Sequence, residues 1–498
     1  MKKSILTICL ALTAVLALHA ETYSGNIVVT HNGQTYNQNV TVTVTQQDNG
    51  LNTLVLQVPM FGTMTMNDVP AGNENGITVY SAVRDVNTNF GAMRTTLFAR
   101  TVDGMMAADV AIPAHNTTMW FNTVGDHFQL PNSGFEDWTS STGEPDHWHG
   151  FNSAGGTYAA ASANYAKLNS SEDVRSGATG HSAVMTTGQV PIIGTLANGT
   201  MTNGQLIAGS MSATSTENHA EMDKNKTETD ANGDLFYMPL YAKPDKFNVW
   251  LKYTQGTANA NNKANVSVKT FDGTYYQEPV DKLYTNLSGS IVGGQVTAGD
   301  WTFYSFPFDY DSYAANNAAS EAIFVTFSTN ANPGQGSKND AVYVDDMELI
   351  YLGNMTDLRY QDATINGWDP AVTTYSMEIA GAPILDDFTA TVEGASAVVT
   401  KSMEQNADGS YRIAISVVSG DLQNATCYVI NVTVAPAGLK GDVDNDGEVA
   451  ISDVTVLVDA LLTGEFSIIN EQNADMDEDG EISISDVSAL IDYLLTNN

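Results

Sequence analysis

Two copies of one short acidic motif near the C-terminal end constrain this chain more than any other feature. The first runs Asp442-Val-Asp444-Asn-Asp446-Gly447-Glu448-Val-Ala450-Ile451-Ser452-Asp453. The second begins 33 residues later as Asp475-Met-Asp477-Glu-Asp479-Gly480-Glu481-Ile-Ser483-Ile484-Ser485-Asp486. Carboxylates stand at loop positions 1, 3, 5 and 12 and glycine at 6. A Ca²⁺ ion takes about six to eight hard oxygen ligands, and glycine permits the turn that points them inward. One acidic loop is often only a solvated turn. Two in register are not: 14 of 22 aligned positions are identical between Asp442–Thr463 and Asp475–Thr496. The pattern predicts Ca²⁺ as the bound cofactor.

After each loop an apolar stripe repeats at helical spacing: Val454, Leu457, Val458, Leu461, Leu462, then Val487, Leu490, Ile491, Leu494, Leu495. Each loop therefore feeds one amphipathic helix of about three turns. Pro436 and Gly438 stand before the first loop, where an incoming helix would otherwise lie. Each unit reads as half an EF-hand, with Asp in place of Glu at position 12.

Residues 441–498 resemble a type I dockerin, a Ca²⁺-folded module that docks onto a cohesin domain. The resemblance implies Asp442, Asp444, Asp446, Asp453 and Asp475, Asp477, Asp479, Asp486 as metal ligands. It adds the backbone carbonyls of Glu448 and Glu481 at position 7. It implies a cohesin-like partner, read through Ile451, Ser452, Ile484 and Ser485. The chain departs from the family's pattern here: these positions are Ile-Ser rather than a hydroxyl pair, position 3 is Asp, Ala450 offers no side-chain ligand, and Asp459 and Asp492 replace a commonly basic residue.

The N-terminus reads as a cleaved signal peptide over residues 1–20. Lys2 and Lys3 precede an apolar core from Ile5 to Leu18, and Ala20 ends the segment. The core is too short to span a membrane, and nothing later is apolar for the roughly 18 residues that requires. The expected location is secreted, extracellular or on the cell surface. After cleavage one cysteine, Cys427, remains, so no intramolecular disulfide forms. A net charge of −37 argues against nucleic acid and anionic membrane as partners. Residues 441–498 hold fifteen Asp and Glu and no Lys or Arg.

The rest of the chain reads as β structure. In 21–126, Val40-Thr-Val42-Thr-Val44 alternates strictly, and His31-Asn32-Gly33-Gln34 signals a hairpin. With Thr22-Tyr-Ser-Gly25, this stretch resembles a calycin-like barrel, read here as filled by its own side chains.

Residues 130–352 open at Asn132-Ser-Gly-Phe-Glu-Asp-Trp138 and close at Val344-Asp-Asp346, with Pro145-Asp-His-Trp148, Lys243-Pro-Asp-Lys-Phe247 and Pro333-Gly-Gln-Gly-Ser337 between. The order resembles the jelly-roll family named for an inferred role in carbohydrate metabolism. Residues 353–436, with Trp368-Asp-Pro370, Thr374-Tyr375 and Cys427-Tyr428-Val429-Ile430, resemble a cadherin-like β-sandwich. That module is expected to be an Ig-like spacer, with Cys427 a core thiol. The expected fold class is multidomain and mainly β: calycin-like barrel, jelly-roll β-sandwich, Ig-like β-sandwich, then a small α-helical Ca²⁺-binding dockerin.

The jelly-roll resemblance implies a second Ca²⁺ site from Glu136 with Asp345 or Asp346. Strand neighbours face opposite sides, so only one of the two Asp side chains can serve. Trp148, Tyr275 and Tyr276 lie in polar, glycine-rich surroundings and are the expected sugar-stacking residues. Trp250 and Trp301 sit in apolar strands and are expected in the core. No nucleophile motif, phosphate loop or third metal-ligating His or Cys beside His147 and His149 is present. The expectation is a non-catalytic protein that binds polysaccharide or another glycan through 130–352. Two alternatives stand beside it: a glycoside hydrolase using Glu136 and Asp146, and a structural or adhesion protein. Hydrolysis needs two carboxyls about 5–10 Å apart, which sequence proximity does not establish.

Overall fold

The computed structural model describes residues 20–58, 60–138, 143–192, 194–278, 283–435 and 438–497. All but the last residue of the expected signal peptide lies outside these. Strands dominate, and the longest helices, Ile451–Thr463 and Ile484–Asn497, stand in the C-terminal acidic region. Among the described residues no helix is long and apolar enough to cross a membrane. The chain divides into two compact units. The larger runs to Thr373 and adds Phe388–Ser402 and Ala414–Val429; the smaller holds Thr374–Asp387, Met403–Ile413 and the chain from Ile430 on.

Residues 20–122 form a nine-stranded antiparallel meander. Ala20–His31 pairs with Gln34–Gln46 on one side and Thr117–Asn122 on the other. Asn32 and Gly33 make the first hairpin turn at φ 50° and 79°. Two positive φ values are what a two-residue hairpin of this type needs, and Asn-Gly supplies them at little cost. The edge strand Gly62–Val69 curls back against Ile77–Thr88, where the Arg84 guanidinium donates to the carbonyls of Asn67 and Asp68 at 3.3 and 2.6 Å. The sheet is thus nearly closed. Val40, Val42, Val44, Leu54, Leu56 and Val58 alternate onto one face and join a single buried cluster with Ile27, Met119 and Phe121.

Residues 167–350 build two layers. One orders Lys167–Ser171, Ser182–Thr186, Ala341–Ile350, Lys246–Thr254 and Gly299–Asp309; the other carries Leu287–Ile291, Ala264–Phe271, Ala322–Ser328 and Thr200–Thr202. Gly299–Asp309 joins them. Its first part pairs with Lys246–Thr254 and its end pairs with Ser290 and Ile291. Phe247, Val249, Leu251 and Tyr253 alternate into the space between the layers, against Phe271, Phe327 and Val344.

Trp250, expected inside, sits on the opposite face with the Arg175 guanidinium 5.2 Å above its ring. Trp301 is likewise half-buried, and its indole donates to Asp173 at 2.9 Å. Strand alternation makes two faces, and both tryptophans fall on the outer one.

Residues 354–435 add a three-stranded sheet centred on Asn354–Tyr360 and a four-stranded sheet ordered Thr374–Ala380, Ala425–Ala435, Tyr411–Val418, Val398–Gln405. Cys427 is half-buried rather than in the core, its Sγ 3.3 Å from the Ser81 hydroxyl.

Candidate metal centre

Each acidic loop is folded by its own carboxylates. In the first, Asp453 is fully buried and accepts backbone N–H groups from Val443, Asp444 and Ala450 at 2.5, 3.1 and 2.8 Å. It stands at the third position of the helix Ile451–Thr463, whose N-cap residue Ala450 has no side-chain acceptor of its own. One carboxylate therefore closes the loop and caps the helix. Asp442 accepts from the N–H groups of Asp446 and Gly447, each at 3.0 Å.

The second loop repeats this design. Buried Asp486 accepts from Met476, Asp477 and Ser483 at 2.7, 3.3 and 2.9 Å. Asp475 accepts from Gly480 at 3.0 Å. Asn445 and Glu478 occupy left-handed backbone at φ 61° in both loops, followed by Gly447 and Gly480 at φ 94° and 82°.

The carboxylate oxygens of Asp442, Asp444 and Asp453 lie within 4.8 Å of one another, as do those of Asp475, Asp477 and Asp479. Asp446 and Asp486 stand outside these two clusters while remaining tied into the same loops by hydrogen bonds. Partial desolvation, then the neighbouring Asp453 and Asp446 carboxylates, push the Asp444 pKa upward. Asp475 Oδ1 is buried without a hydrogen-bond partner. Crowded carboxylates and an orphaned buried oxygen fit a hard divalent cation, and the donors are all oxygen. Glu448 and Glu481 hold position 7, with their N–H groups bonded to Asp446 and Asp479 at 2.9 Å.

The loops are also tied to each other. Asn473 donates to the Asp442 carbonyl at 2.8 Å, and the Gly441 N–H donates to the Asn473 carbonyl at 2.9 Å. Val443, Val454, Leu457, Ala474, Val487 and Leu490 form the buried cluster beneath them. The second loop is preceded by a single helical turn, Glu471–Ala474, which the apolar periodicity does not reveal. The core stripe is narrower than the periodicity implies, because Leu462 and Leu495 are 81% and 76% exposed. Ile451 and Ile484 open the two helices with their side chains exposed, each followed by Ser452 or Ser485.

Residues 440–495 match the model of the family described as the Dockerin type I domain. This stretch is similar to dockerin type I domains. The dockerin match covers the paired loops, the exiting helices and the cluster between them.

Among solved structures, the chain is similar to the M60 catalytic domain with the CBM51-1 and CBM51-2 domains of Clostridium perfringens ZmpB, at 10% identity and a TM-score of 0.17. That similarity covers 87% of this chain but only 40% of the other. A second similarity is to the CBM22-1–CBM22-2 tandem of Paenibacillus barcinonensis Xyn10C, at 10% identity and a TM-score of 0.19, covering 66% of this chain and 92% of that one. No curated protein matches the chain.

Outside the dockerin, several expected site residues fall elsewhere than anticipated. Glu136, Asp345 and Asp346 do not form a three-residue cluster like those of the two dockerin loops, the only such clusters among the described residues. Asp346 is paired with Arg175 at 2.5 Å, and Glu136 accepts the His181 N–H at 3.1 Å. A Cβ at Gly180, where φ is +95°, would lie 2.1 Å from that Glu136 carboxylate. Burial, then the neighbouring Asp346 and Glu136 carboxylates, push the Asp345 carboxyl up to about 7.

Trp148 and Tyr276, expected at the surface, are both 0% exposed. The Trp148 indole donates to the Pro131 carbonyl at 3.1 Å and its ring packs 5.7 Å from Phe135. The half-buried Tyr275 hydroxyl bonds Glu221 and Gln277 at 3.0 and 2.7 Å.

Of the alternative catalytic pair, Glu136 braces the turn at Gly180 and His181. Asp146 begins the turn that seats Trp148, and its carbonyl accepts from the Asn132 amide at 3.1 Å. His147 and His149 share no face: His147 is exposed and pairs with Asp234 at 3.1 Å, whereas His149 is buried beside Asp230.

Proposed function

We propose that this is an exported, non-catalytic carbohydrate-binding protein, held through its Ca²⁺-loaded dockerin on a cohesin-bearing partner of a polysaccharide-degrading assembly. The dockerin match at 440–495, laid over two loops of like geometry, carries the reading. In it, Ca²⁺ occupies the clusters around Asp442 and Asp475. Asp446, Asp479, Asp486 and the carbonyls of Glu448 and Glu481 complete the shells. Ile451, Ser452, Ile484 and Ser485 meet the partner.

The glycan falls to the two-layer module within 130–352. Support for that assignment comes from its opening Gly134-Phe135-Glu136 segment and its closing Val344-Asp345-Asp346 strand. Residues 1–20 direct export, and the mature protein is extracellular or on the cell surface.

The test is capture of the full-length protein on immobilised cohesin domains in Ca²⁺ and in chelator, with a parallel screen against plant and host glycans. Ca²⁺-dependent capture together with glycan binding is the expected result. Capture that survives chelation, or a failure to bind any glycan, removes the corresponding half of the reading.

A further inference from the structure

The strand Ala264–Phe271 has two faces with different chemistry. Ala264, Val266, Val268 and Thr270 are buried between the layers, while Asn265, Ser267 and Lys269 alternate onto the other side. Its neighbour Ala322–Ser328 sets Ser328 opposite Asn265 and Thr326 opposite Ser267. These side chains floor a groove of about 410 Å³. Its walls include Phe151, Tyr158, Leu206, Ile207, Met211 and Pro333. Pockets for small ligands commonly span about 300–1,000 Å³, with apolar walls and a few placed polar groups.

Several polar groups lining this groove lack the partners that buried groups normally have. Asn330 is 4% exposed, and its Nδ2 has no hydrogen-bond partner. Asn198 Oδ1 is buried and equally unpaired. Glu278 accepts the Ser267 and Tyr276 hydroxyls on Oε1 at 2.7 and 3.1 Å, and its Oε2 takes no hydrogen bond from the described residues. Lys269 donates to Ser290 at 2.6 Å and forms no ion pair among the described residues.

The charges here balance. Lys269 is offset by Glu278, and the lining residue His219 is bonded to Glu221 at 3.0 Å. A chain of net charge −37 carries a field that disfavours anions further.

We propose that this groove binds a neutral saccharide of one or two rings. The sugar's C–H faces rest on Phe151 and Tyr158, and its hydroxyls bond Asn265, Lys269 and Glu278. The proposal rests on the carbohydrate-binding reading of 130–352. It adds the place and excludes uronate-rich and sulfated glycans.

The test is calorimetry on the full-length, Ca²⁺-loaded protein with neutral, uronate-bearing and sulfated oligosaccharides. Wild type should bind a neutral one. Glu278→Gln and Lys269→Met should each weaken that binding roughly tenfold or more, since each removes a hydrogen bond involving a charged group. Trp250→Ala, on the outer face of the other layer, should leave it unchanged. Melting curves check that each variant is folded, and Lys269→Met decides if Glu278→Gln does not fold. Undiminished binding by folded groove variants overturns the groove and leaves the carbohydrate reading intact, as does loss of binding in Trp250→Ala alone. Tighter binding of acidic glycans overturns the ligand class. If wild type binds no glycan at all, the carbohydrate reading itself falls.

Discussion

The two-layer module closes around Phe247, Phe271, Phe324, Phe327 and Tyr253, all nearly inaccessible to solvent. The dockerin closes around Val443, Val454, Leu457, Ala474, Val487 and Leu490, with no aromatic ring among them. The larger cluster extends into the barrel through Ile77, Val79 and Ala107, and into the following β segment through Val398, Val418 and Leu422. Buried apolar area stabilises by about 25 cal/mol per Å², and the larger unit holds the larger buried cluster. A core of six buried small and medium side chains, ringed by eight partly buried ones, rarely suffices for a module of about 60 residues. The dockerin also sets carboxylates side by side, which repel until a cation joins them. In the proposed reading its folding is coupled to the metal.

Chelation should separate the two regions most sharply. Removing Ca²⁺ should abolish the helical circular-dichroism signal of Ile451–Thr463 and Ile484–Asn497 while the β signal persists. The linkage is about 4 kcal/mol when free Ca²⁺ stands about a thousandfold above its Kd. Retention of helix in chelator would show that the small core is sufficient and would end the contrast.

Next in size is the loss of one closing carboxylate. Asp453→Ala leaves the N–H groups of Val443, Asp444 and Ala450 without their acceptor. At roughly 1–3 kcal/mol per unsatisfied group, the first loop should not form. Calorimetric titration should find one bound Ca²⁺ fewer than in wild type. Phe327→Ala in the larger unit should cost about 3–5 kcal/mol. It should lower that unit's melting temperature and leave the Ca²⁺ titration unchanged, and a shift in Ca²⁺ affinity would show that the units are energetically coupled.

A smaller effect in the larger unit is read by pH. Burial pushes the Glu221 carboxyl up, but hydrogen bonds from His219, Lys226 and Tyr275 outweigh it and hold its pKa at about 2, against 4.5 for the free side chain. A folded-state pKa below the unfolded one means stability is present above the unfolded value and is lost as pH falls toward the folded one. The larger unit should therefore lose stability between about pH 4.5 and 2, and Glu221→Gln should flatten that slope. An unchanged slope in the variant would show that the ion pair contributes nothing.

The dockerin was legible because its information is local. Carboxylates at positions 1, 3, 5 and 12 and an exiting stripe all fall within one short window, and the loop is built by bonds inside that window. The barrel meander was legible for the same reason, since alternating Val-Thr strands meet through short turns. Aromatic placement in the two-layer module was not. Trp148 sits in a run of Pro, Asp, His and Gly yet is fully enclosed, because Pro131 and Phe135 fold back over it. Trp250 is flanked by apolar neighbours yet lies outside, under Arg175. Alternation gives two faces, and only distant strands decide which is covered. The groove was illegible too, since Asn198, Glu278 and Asn330 converge on it from separate loops and strands.

The smallest expected effect probes the edge of the dockerin core. Leu457 and Leu462 both belong to the apolar stripe of the first helix, but Leu457 is 0% exposed and Leu462 81%. Leu457→Ala removes buried methyl groups from a cluster with few others, and should cost about 2–5 kcal/mol. Leu462→Ser removes groups that water already reaches, and should change stability by no more than about 0.5 kcal/mol. Leu495 holds the matching place on the second helix at 76% exposure, so Leu495→Ser should be equally silent. Chemical denaturation in saturating Ca²⁺ reads all three. A cost for Leu462→Ser close to that of Leu457→Ala would mean that the whole stripe is covered in the folded dockerin. The contrast between a large closed core and a small metal-dependent one would then lose its physical basis.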